Sequence, residues 1–256
     1  MGIALVAVIA GVAYATAVRR VGAKGRRWPA ARSAGFAGAL AAALATIPVG
    51  DATFTRHMVE HVGLGMVVPL LAALAAPVTL ALQGGGPATR SMLRRALHSR
   101  PGRVVTHPVV GFAVFGLSLA VLYLTPVLEA SVEHTVVHVA VHAHLVAVGL
   151  LFLVPVVGVD ALPRPVPFGA RLLALLAAVP FHAFLALALG SAREPVAPDV
   201  YPSIDDQRTA AAILWASGEL FTVMVGGIVF WRWWASEARA AAREAVAEGG
   251  YGRRPC

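Results

Sequence analysis

Residues 54–82 read FTRHMVEHVGLGMVVPLLAALAAPVTLAL, and this stretch indicates the fold class. Its part from 61 to 82 is apolar apart from one histidine and one threonine, and a helix needs about 20 such residues to cross a bilayer. His57 and His61 lie at its beginning, and their spacing of four places both on one helix face, one turn apart. The stretch therefore predicts a membrane-spanning helix with a pair of histidines at one end.

The rest of the chain has the same apolar character. Of its 256 residues, 58% are hydrophobic and only 13% are charged, and the mean hydropathy is +0.75, whereas soluble domains are about 25% charged. Seven apolar segments can be distinguished, at 3–18, 33–50, 61–82, 107–126, 135–159, 171–190 and 209–231. We expect an all-α, polytopic membrane protein in which a seven-transmembrane-helix bundle covers residues 1–234 and a short cytoplasmic tail covers 235–256.

The charged residues indicate how this bundle lies in the membrane. The formal net charge is +8, and 18 of the 21 basic residues, all except Arg56, Arg193 and Arg208, fall in alternate connections or in the C-terminal tail. The other connections hold acidic residues: Asp51, Glu60, Glu129, Glu133, Glu194, Asp199, Asp205 and Asp206. Because basic residues collect on the cytoplasmic side, we expect the N-terminus outside and the C-terminus inside a bacterial plasma membrane. The positive charge then requires no nucleic acid partner.

Several classes of enzyme and metal site are excluded by what the sequence lacks. Cys256 is the only cysteine, which excludes a disulfide and a thiolate metal cage. The Gly-rich turn at 83–90 lacks the Lys-Ser/Thr ending of a phosphate-binding loop, and neither a nucleophile elbow nor a zinc-protease helix is present. We therefore expect no conventional enzyme. The lipid bilayer is the partner that the composition requires, and a homo-oligomer is left open.

Seven of the nine histidines lie in the outer half of the predicted bundle. His134, His138 and His142 repeat the spacing of four at the start of the fifth helix, so they form a slowly winding stripe, with His144 further round. At 1.5 Å per residue, His142 in the fifth helix and His182 in the sixth helix are both expected roughly 12 Å below the outer surface. Three helices are therefore expected to bring histidines to one level.

Converging histidines favour a metal site. An unpartnered polar ring in hydrocarbon is costly, so such residues face the bundle interior and are functional by default. Imidazole suits Zn, Cu, Fe and Ni, and a thioether from Met58 or Met66 would favour Cu(I). Any single histidine could instead bond a neighbouring helix, and Met66 could simply pack.

Two acidic groups of the last segment have candidate roles. Glu219 lies inside the seventh helix and could orient a ligand histidine or take the protons released on metal binding. Asp205, Asp206 and Gln207 are expected to cap the N-terminus of the same helix.

Four blocks of sequence, in order, resemble the CtaG family of multi-spanning cytochrome c oxidase assembly factors. The first is the stretch at 54–82, and the second is HVAVHAHLVAVGLLFLVPVVGVDALPRPVPFGARL at 138–172. The third is VPFHAFLALALG at 179–190, and the fourth is DQRTAAAILWASGELFTVMVGGIVFW at 206–231. The likeness extends over residues 50–231.

This resemblance implies a metallochaperone that delivers copper to the copper–haem centre of oxidase subunit I or to its assembly intermediates. Carried over residue by residue, the ligands it implies are His57, His61, His138, His142 and His182, with His134 and His144 as further candidates. The thioether of Met58, beside the first pair, is a further candidate from the residues themselves. We expect copper, as Cu(I), near the extracytoplasmic face. The first two histidines would receive it at the mouth of the site, and the next three would hold it deeper.

Three other functions fit the histidines. A haem-binding electron carrier would clamp iron between two of them, for example His61 and His142. A metal or proton transporter would line a path with them, although the inner halves of helices three, five and six are almost entirely Ala, Val, Leu and Pro. A structural partner of the oxidase would need no metal.

Overall fold

The chain folds into helices joined by turns and loops. The computed structural model describes residues 2–47, 49, 52–163 and 166–251, and all regular structure in these ranges is helical. In chain order the helices are α1 (Gly2–Ala23), α2 (Ala30–Thr46), α3 (Phe54–Leu74), α4 (Pro77–Gly84), α5 (Pro87–His98), α6 (Arg100–Val105), α7 (Pro108–Leu124), α8 (Val127–Glu133), α9 (Thr135–Val157), α10 (Phe168–Gly190) and α11 (Ile204–Tyr251). The all-α class expected from the sequence is confirmed.

The helices include several that can cross a membrane. Among the described residues, five stretches are long and apolar enough: Ile3–Ala23, Phe54–Leu74, Thr135–Val157, Phe168–Gly190 and Ile204–Ala245. Helices α7 and α8, bent by 72° at their junction, give a sixth if they count as one span. Helix α2 has 17 residues, fewer than the roughly 20 that a crossing needs. The chain is thus a multi-pass membrane protein, while the count of seven spans and the side on which each terminus lies stay predictions.

Four residues used to predict the orientation, and the single cysteine, lie outside the described residues. They are Asp51, Arg164, Arg253, Arg254 and Cys256.

The helices around the site include one parallel pair and one antiparallel pair. Helices α3 and α9 run parallel, because His57 lies against His138 and His61 against His142. Helices α10 and α11 run antiparallel, because the Gln207 amide donates to Leu189 near the end of α10 while Arg232 lies near the start of that helix, bonded to the Gly158 carbonyl. We name the two ends of the bundle by their residues: the histidine end, around His57 and His138, and the basic end, around Gly158, Arg171 and Arg232.

Helix α3 begins seven residues before the predicted span at 61–82, and its start is held by another helix. The Asp206 carboxylate accepts hydrogen bonds from the backbone N–H groups of Phe54 at 2.6 Å and Thr55 at 3.3 Å. The prediction that Asp206 caps its own helix α11 is therefore wrong: the Ser203 hydroxyl accepts from the Asp206 N–H instead. A carboxylate at α3 also offsets the positive pole of its dipole, so the first histidine is presented on a fixed helical turn.

The predicted span at 61–82 is interrupted at Ala76, which has a left-handed backbone (φ 52°). Helix α4 restarts at Pro77, and the Asp160 carboxylate accepts from the N–H groups of Val78 at 2.8 Å and Thr79 at 2.5 Å. Hydropathy is uniform across this break, which is why the sequence predicted one helix. The acceptor that stabilises the second helix lies 82 residues away from Val78.

Helices α3 and α9 approach closely just below the histidines. The central part of α3, Gly63–Val67, is a π-helical turn in which the Val68 N–H bonds to the Gly63 carbonyl. Gly149 of α9 lies against this turn, and a Cβ on Gly149 would overlap the Gly65 carbonyl and lie 2.6 Å from Pro69 Cγ. Single π turns inside α-helices are frequent at functional sites. This close backbone contact sets the distance at which the two histidine-bearing helices face each other.

Candidate metal centre

Four imidazoles meet at the histidine end. His57 and His61 lie on successive turns of α3 with ring centroids 4.0 Å apart, and His138 and His142 do the same on α9 at 4.1 Å. Across the two helices, the centroids of His57 and His138 are 5.8 Å apart and those of His61 and His142 are 5.4 Å apart. The spacing of four seen in the sequence thus produces two facing pairs on parallel helices. We call these four residues the histidine cluster.

The histidine cluster is buried inside the protein except on one side. His57, His61 and His142 are 0%, 3% and 4% exposed, and His138 is half-buried. Glu60 is 4% exposed, and its Oε1 lies 3.8 Å from His142 Nδ1. One donor atom each from Glu60, His138 and His142 fall within 4.8 Å of one another. This arrangement offers imidazole nitrogens and one carboxylate oxygen to a cation.

Two tyrosines hold the rings of the α3 histidines. Tyr123 Oη lies 3.0 Å from His61 Nδ1, and Tyr201 Oη lies 3.1 Å from His57 Nδ1. Phe54 stacks on Tyr201 with centroids 5.4 Å apart, which fixes that tyrosine in turn. On His61 the other nitrogen, Nε2, is buried and has no hydrogen-bond partner among the described residues. Metal-binding histidines commonly bond a supporting group through one nitrogen and the metal through the other.

His182 lies apart from the cluster and deeper. It borders a small cavity with Gly65 and Met66, which follow His61 by four and five residues, so it lies about one helical turn below His61. The sequence had placed His182 level with His142 by counting residues from the outer helix ends. The structure keeps those ends, at Thr135 and Gly190, so the difference in depth comes from how the helices are offset against one another. Both ring nitrogens of His182 are buried without a hydrogen-bond partner among the described residues. A Cβ on Gly218 would lie 2.7 Å from His182 Cγ, so the ring packs directly on the α11 backbone.

The structure does not gather the remaining candidates around the cluster. His134 is exposed and precedes the first turn of α9, and His144 is exposed with its Nε2 2.8 Å from Ser118 Oγ. Met58 is fully buried and packs within the main apolar core. Glu219 is half-buried, and its Oε1 has no hydrogen-bond partner among the described residues. The metal roles assigned to these residues stay predictions.

Three residues of the site were missed from the sequence. Glu60 was counted with the acidic loops because the third span was predicted to begin at 61, although its spacing of three from His57 places it on the same helix face. That spacing could have identified it. Tyr123 and Tyr201 are 62 and 144 residues away from the histidines that they bond, and no local pattern marks them.

Comparisons with known proteins identify a family for this chain. Residues 12–236 match the model of a family described as cytochrome c oxidase caa3 assembly factor. The chain is 32% identical over 258 aligned positions to uncharacterized proteins of Mycobacterium bovis and Mycobacterium tuberculosis, and 31% identical over 259 positions to one of Mycobacterium leprae. Each alignment covers 93% of this chain but only 39% of the relative, so the chain spans about two fifths of the length of these proteins. No solved structure matches significantly.

The family match covers most of the chain and includes every residue of the histidine cluster together with Glu60, Tyr123 and Tyr201. The chain belongs to the cytochrome c oxidase caa3 assembly factor family.

Proposed function

We propose that this family member holds a copper ion in the histidine cluster and delivers it to the copper–haem centre of cytochrome c oxidase subunit I. The observation that carries the proposal is the meeting of four imidazoles and one carboxylate inside an apolar bundle. Four imidazolium ions at this spacing would repel one another, so the four rings cannot all be positively charged. Neutral imidazoles at this spacing suit a single metal cation.

Copper is the metal that the donor set and the family favour together. Imidazole alone does not separate copper from zinc, iron or nickel, but assembly of a copper–haem oxidase calls for copper. The monovalent state is favoured because burial of one positive charge costs less than burial of two. Glu60, beside His142, supplies one negative charge to balance it.

The position of the cluster suits transfer to another membrane protein. The cluster lies within the first turns of α3 and α9, below the surface of the bundle, so a receiving site buried in a neighbouring protein could lie at a similar depth. His138 is its half-buried member and marks the side by which copper enters and leaves. By the positive-inside rule, the basic end faces the cytoplasm and the cluster faces the extracytoplasmic side of the plasma membrane.

The geometry disfavours the haem carrier. The pairs His57–His138 and His61–His142 are one helical turn apart, about 5.4 Å. A porphyrin clamped by one pair would extend through the space that the other pair occupies.

The geometry also disfavours the transporter. The cavity below the cluster is lined mainly by apolar residues, among them Phe115, Phe152, Leu153 and Leu175, so hydrated ions have no polar path onward through these residues.

The test is the Cu(I) affinity of the purified full chain, measured by competition with a chromogenic chelator. We expect one Cu(I) per chain, and His61→Ala and His142→Ala each to weaken binding by about 100-fold or more, since loss of a supporting partner alone costs about 10–100-fold. His98→Ala, at the end of α5 and outside the site, is the matched control and should bind like the wild type.

Equal Cu(I) affinity in all four proteins would overturn the proposal. A Soret band without copper would favour the haem carrier, and copper uptake into liposomes would favour the transporter. Intact oxidase assembly with no metal bound to this protein would favour the structural partner.

A further inference from the structure

The basic end contains a second cavity that the copper site does not use. It has a volume of about 450 Å³ and lies between the start of α10 and the later part of α11. Arg171, Arg232 and Arg239 line it together with the aromatic rings of Phe168, Trp231 and Trp233. Three cations and three aromatic rings around one cavity form a distinctive chemical environment.

The arginines of this cavity are held in place by the backbone. Arg171 Nε donates to the Val166 carbonyl at 2.9 Å, and Arg232 Nη2 donates to the Gly158 carbonyl at 3.3 Å. Gly158 has a left-handed backbone (φ 62°), and a Cβ there would collide with the Arg171 guanidinium. Each guanidinium has five N–H donors, so each keeps donors free to bind a ligand in the cavity.

The positive charge of the cavity is not neutralised by the described residues. Among the described residues, His142–Glu60 and Arg208–Asp205 form ion pairs at the histidine end, whereas no described carboxylate pairs with these arginines. Arg232 is repelled by its neighbours Arg32 and Arg239, and it in turn repels Arg171. Clustered guanidinium groups without acidic partners are the usual setting for a phosphate anion, which they bind through paired N–H donors.

The surroundings of the cavity point to a lipid as the source of that phosphate. Phe168 stacks on Trp233 with centroids 4.8 Å apart, and the side chains of Trp231 and Trp234 are 70% and 59% exposed. Exposed tryptophans cluster at the level of lipid headgroups. Beyond them, α11 exposes the apolar side chains of Val223, Met224 and Phe230, along which acyl chains can lie.

We propose that this cavity binds the phosphate headgroup of an anionic phospholipid. The guanidinium groups of Arg171 and Arg232 hold the phosphate oxygens, Arg239 closes the site from the aqueous side, and the tryptophans flank the glycerol backbone. A site of this kind anchors the start of α10 and the later part of α11 at one depth in the membrane, because the headgroup is bound where the bilayer places it.

The test is native mass spectrometry of the detergent-purified full chain, titrated with phosphatidylglycerol, with phosphatidylcholine and with inorganic phosphate. We expect retained phosphatidylglycerol with an affinity about tenfold above that for phosphatidylcholine, and no comparable adduct of inorganic phosphate. Arg171→Gln combined with Arg232→Gln should lower phosphatidylglycerol affinity about tenfold. Arg100→Gln combined with Arg103→Gln removes two exposed charges of α6 and should leave it within about twofold.

Folding of each variant is checked by its helical circular dichroism and its elution as a single species. Arg239→Gln, a single change at an exposed position, serves as the milder variant and should weaken binding by a smaller factor in the same direction. Equal phosphatidylglycerol affinity in the wild type, the cavity double variant and Arg239→Gln would overturn the proposal. Equal affinity for the two lipids would also overturn it, as would an inorganic phosphate adduct as strong as that of phosphatidylglycerol.

Discussion

The two ends of the bundle differ in how far their polar side chains are buried. At the histidine end, the rings of His57 and His61 are buried 4.0 Å apart, against tyrosines. At the basic end, Arg171 is half-buried and Arg232 exposed, and both face an open cavity. Imidazole can lose its proton and pack against another imidazole, whereas a guanidinium keeps its charge and stays near water or an anion.

The backbone support at the two ends is nevertheless alike. At the histidine end, the Asp206 carboxylate accepts hydrogen bonds from the first N–H groups of α3. At the basic end, the carboxylate of Asp160, two residues after Gly158, accepts from the first N–H groups of α4. The ends therefore differ in the side chains they present and not in how their helices are begun. A substitution that removes the capping carboxylate at one end should therefore weaken ligand binding at that end and leave binding at the other end unchanged.

The largest effect is expected from Gly149→Ala, which breaks the close contact between α3 and α9. The added methyl would overlap the Gly65 carbonyl and the Pro69 ring, so the helices must separate at a cost of about 2–3 kcal/mol. Thermal unfolding in detergent should occur several degrees lower, and Cu(I) affinity should fall because the facing histidine pairs move apart. Gly226→Ala is the control, since nothing lies within 4 Å of the Cβ it adds. Equal melting of the two variants would refute this account of the contact.

A middle-sized effect is expected from removal of each capping carboxylate. Asp206→Ala and Asp160→Ala both leave backbone N–H groups of a helix start without their acceptor, and each should lower the free energy of unfolding by about 1–2 kcal/mol. Only Asp206→Ala should also weaken Cu(I) binding, since of the two capped helices only α3 carries histidines on its first turns. Equal losses of Cu(I) affinity in the two variants would show that the histidine end is not supported separately.

The smallest effect is expected from Tyr123→Phe, which removes the hydroxyl beside His61 and keeps the ring. Without that partner the imidazole loses its preferred orientation, and Cu(I) affinity should fall about tenfold. Tyr14→Phe, which removes a hydroxyl that donates to Ala75 in the contact between α1 and the end of α3, is the matched control. An unchanged affinity in Tyr123→Phe would mean that His61 does not need its tyrosine to bind the metal.

Local patterns were enough to predict the long apolar helices and the shared face of each histidine pair. The spacing of four in both histidine pairs set each pair on one face, and long apolar runs identified α3, α9, α10 and α11. The break at Ala76 was missed because hydropathy does not change there, and the acceptor that restarts the helix comes from Asp160. Local spacing can describe a helix face, but it cannot locate a cap supplied by another segment.

The site is completed by contacts between distant residues, which is why local patterns could predict only part of it. Four of the predicted ligands meet, because they lie on two helices whose parallel direction follows from chain order. His182 lies deeper, because its depth depends on the packing of α10 against Gly218 and not on distance from a helix end. Tyr201 reaches His57 from the loop before α11. Such a contact becomes visible only in three dimensions.

The most direct test of the central claim is the copper content of the oxidase itself. Cells that lack this protein are supplied with the wild type, His61→Ala, His142→Ala or the control His98→Ala, and copper and haem are measured per mole of purified subunit I. The account predicts oxidase with haem but depleted of copper for the two cluster variants, and full copper for the wild type and the control. Full copper content with both cluster variants, at equal protein levels, would contradict it.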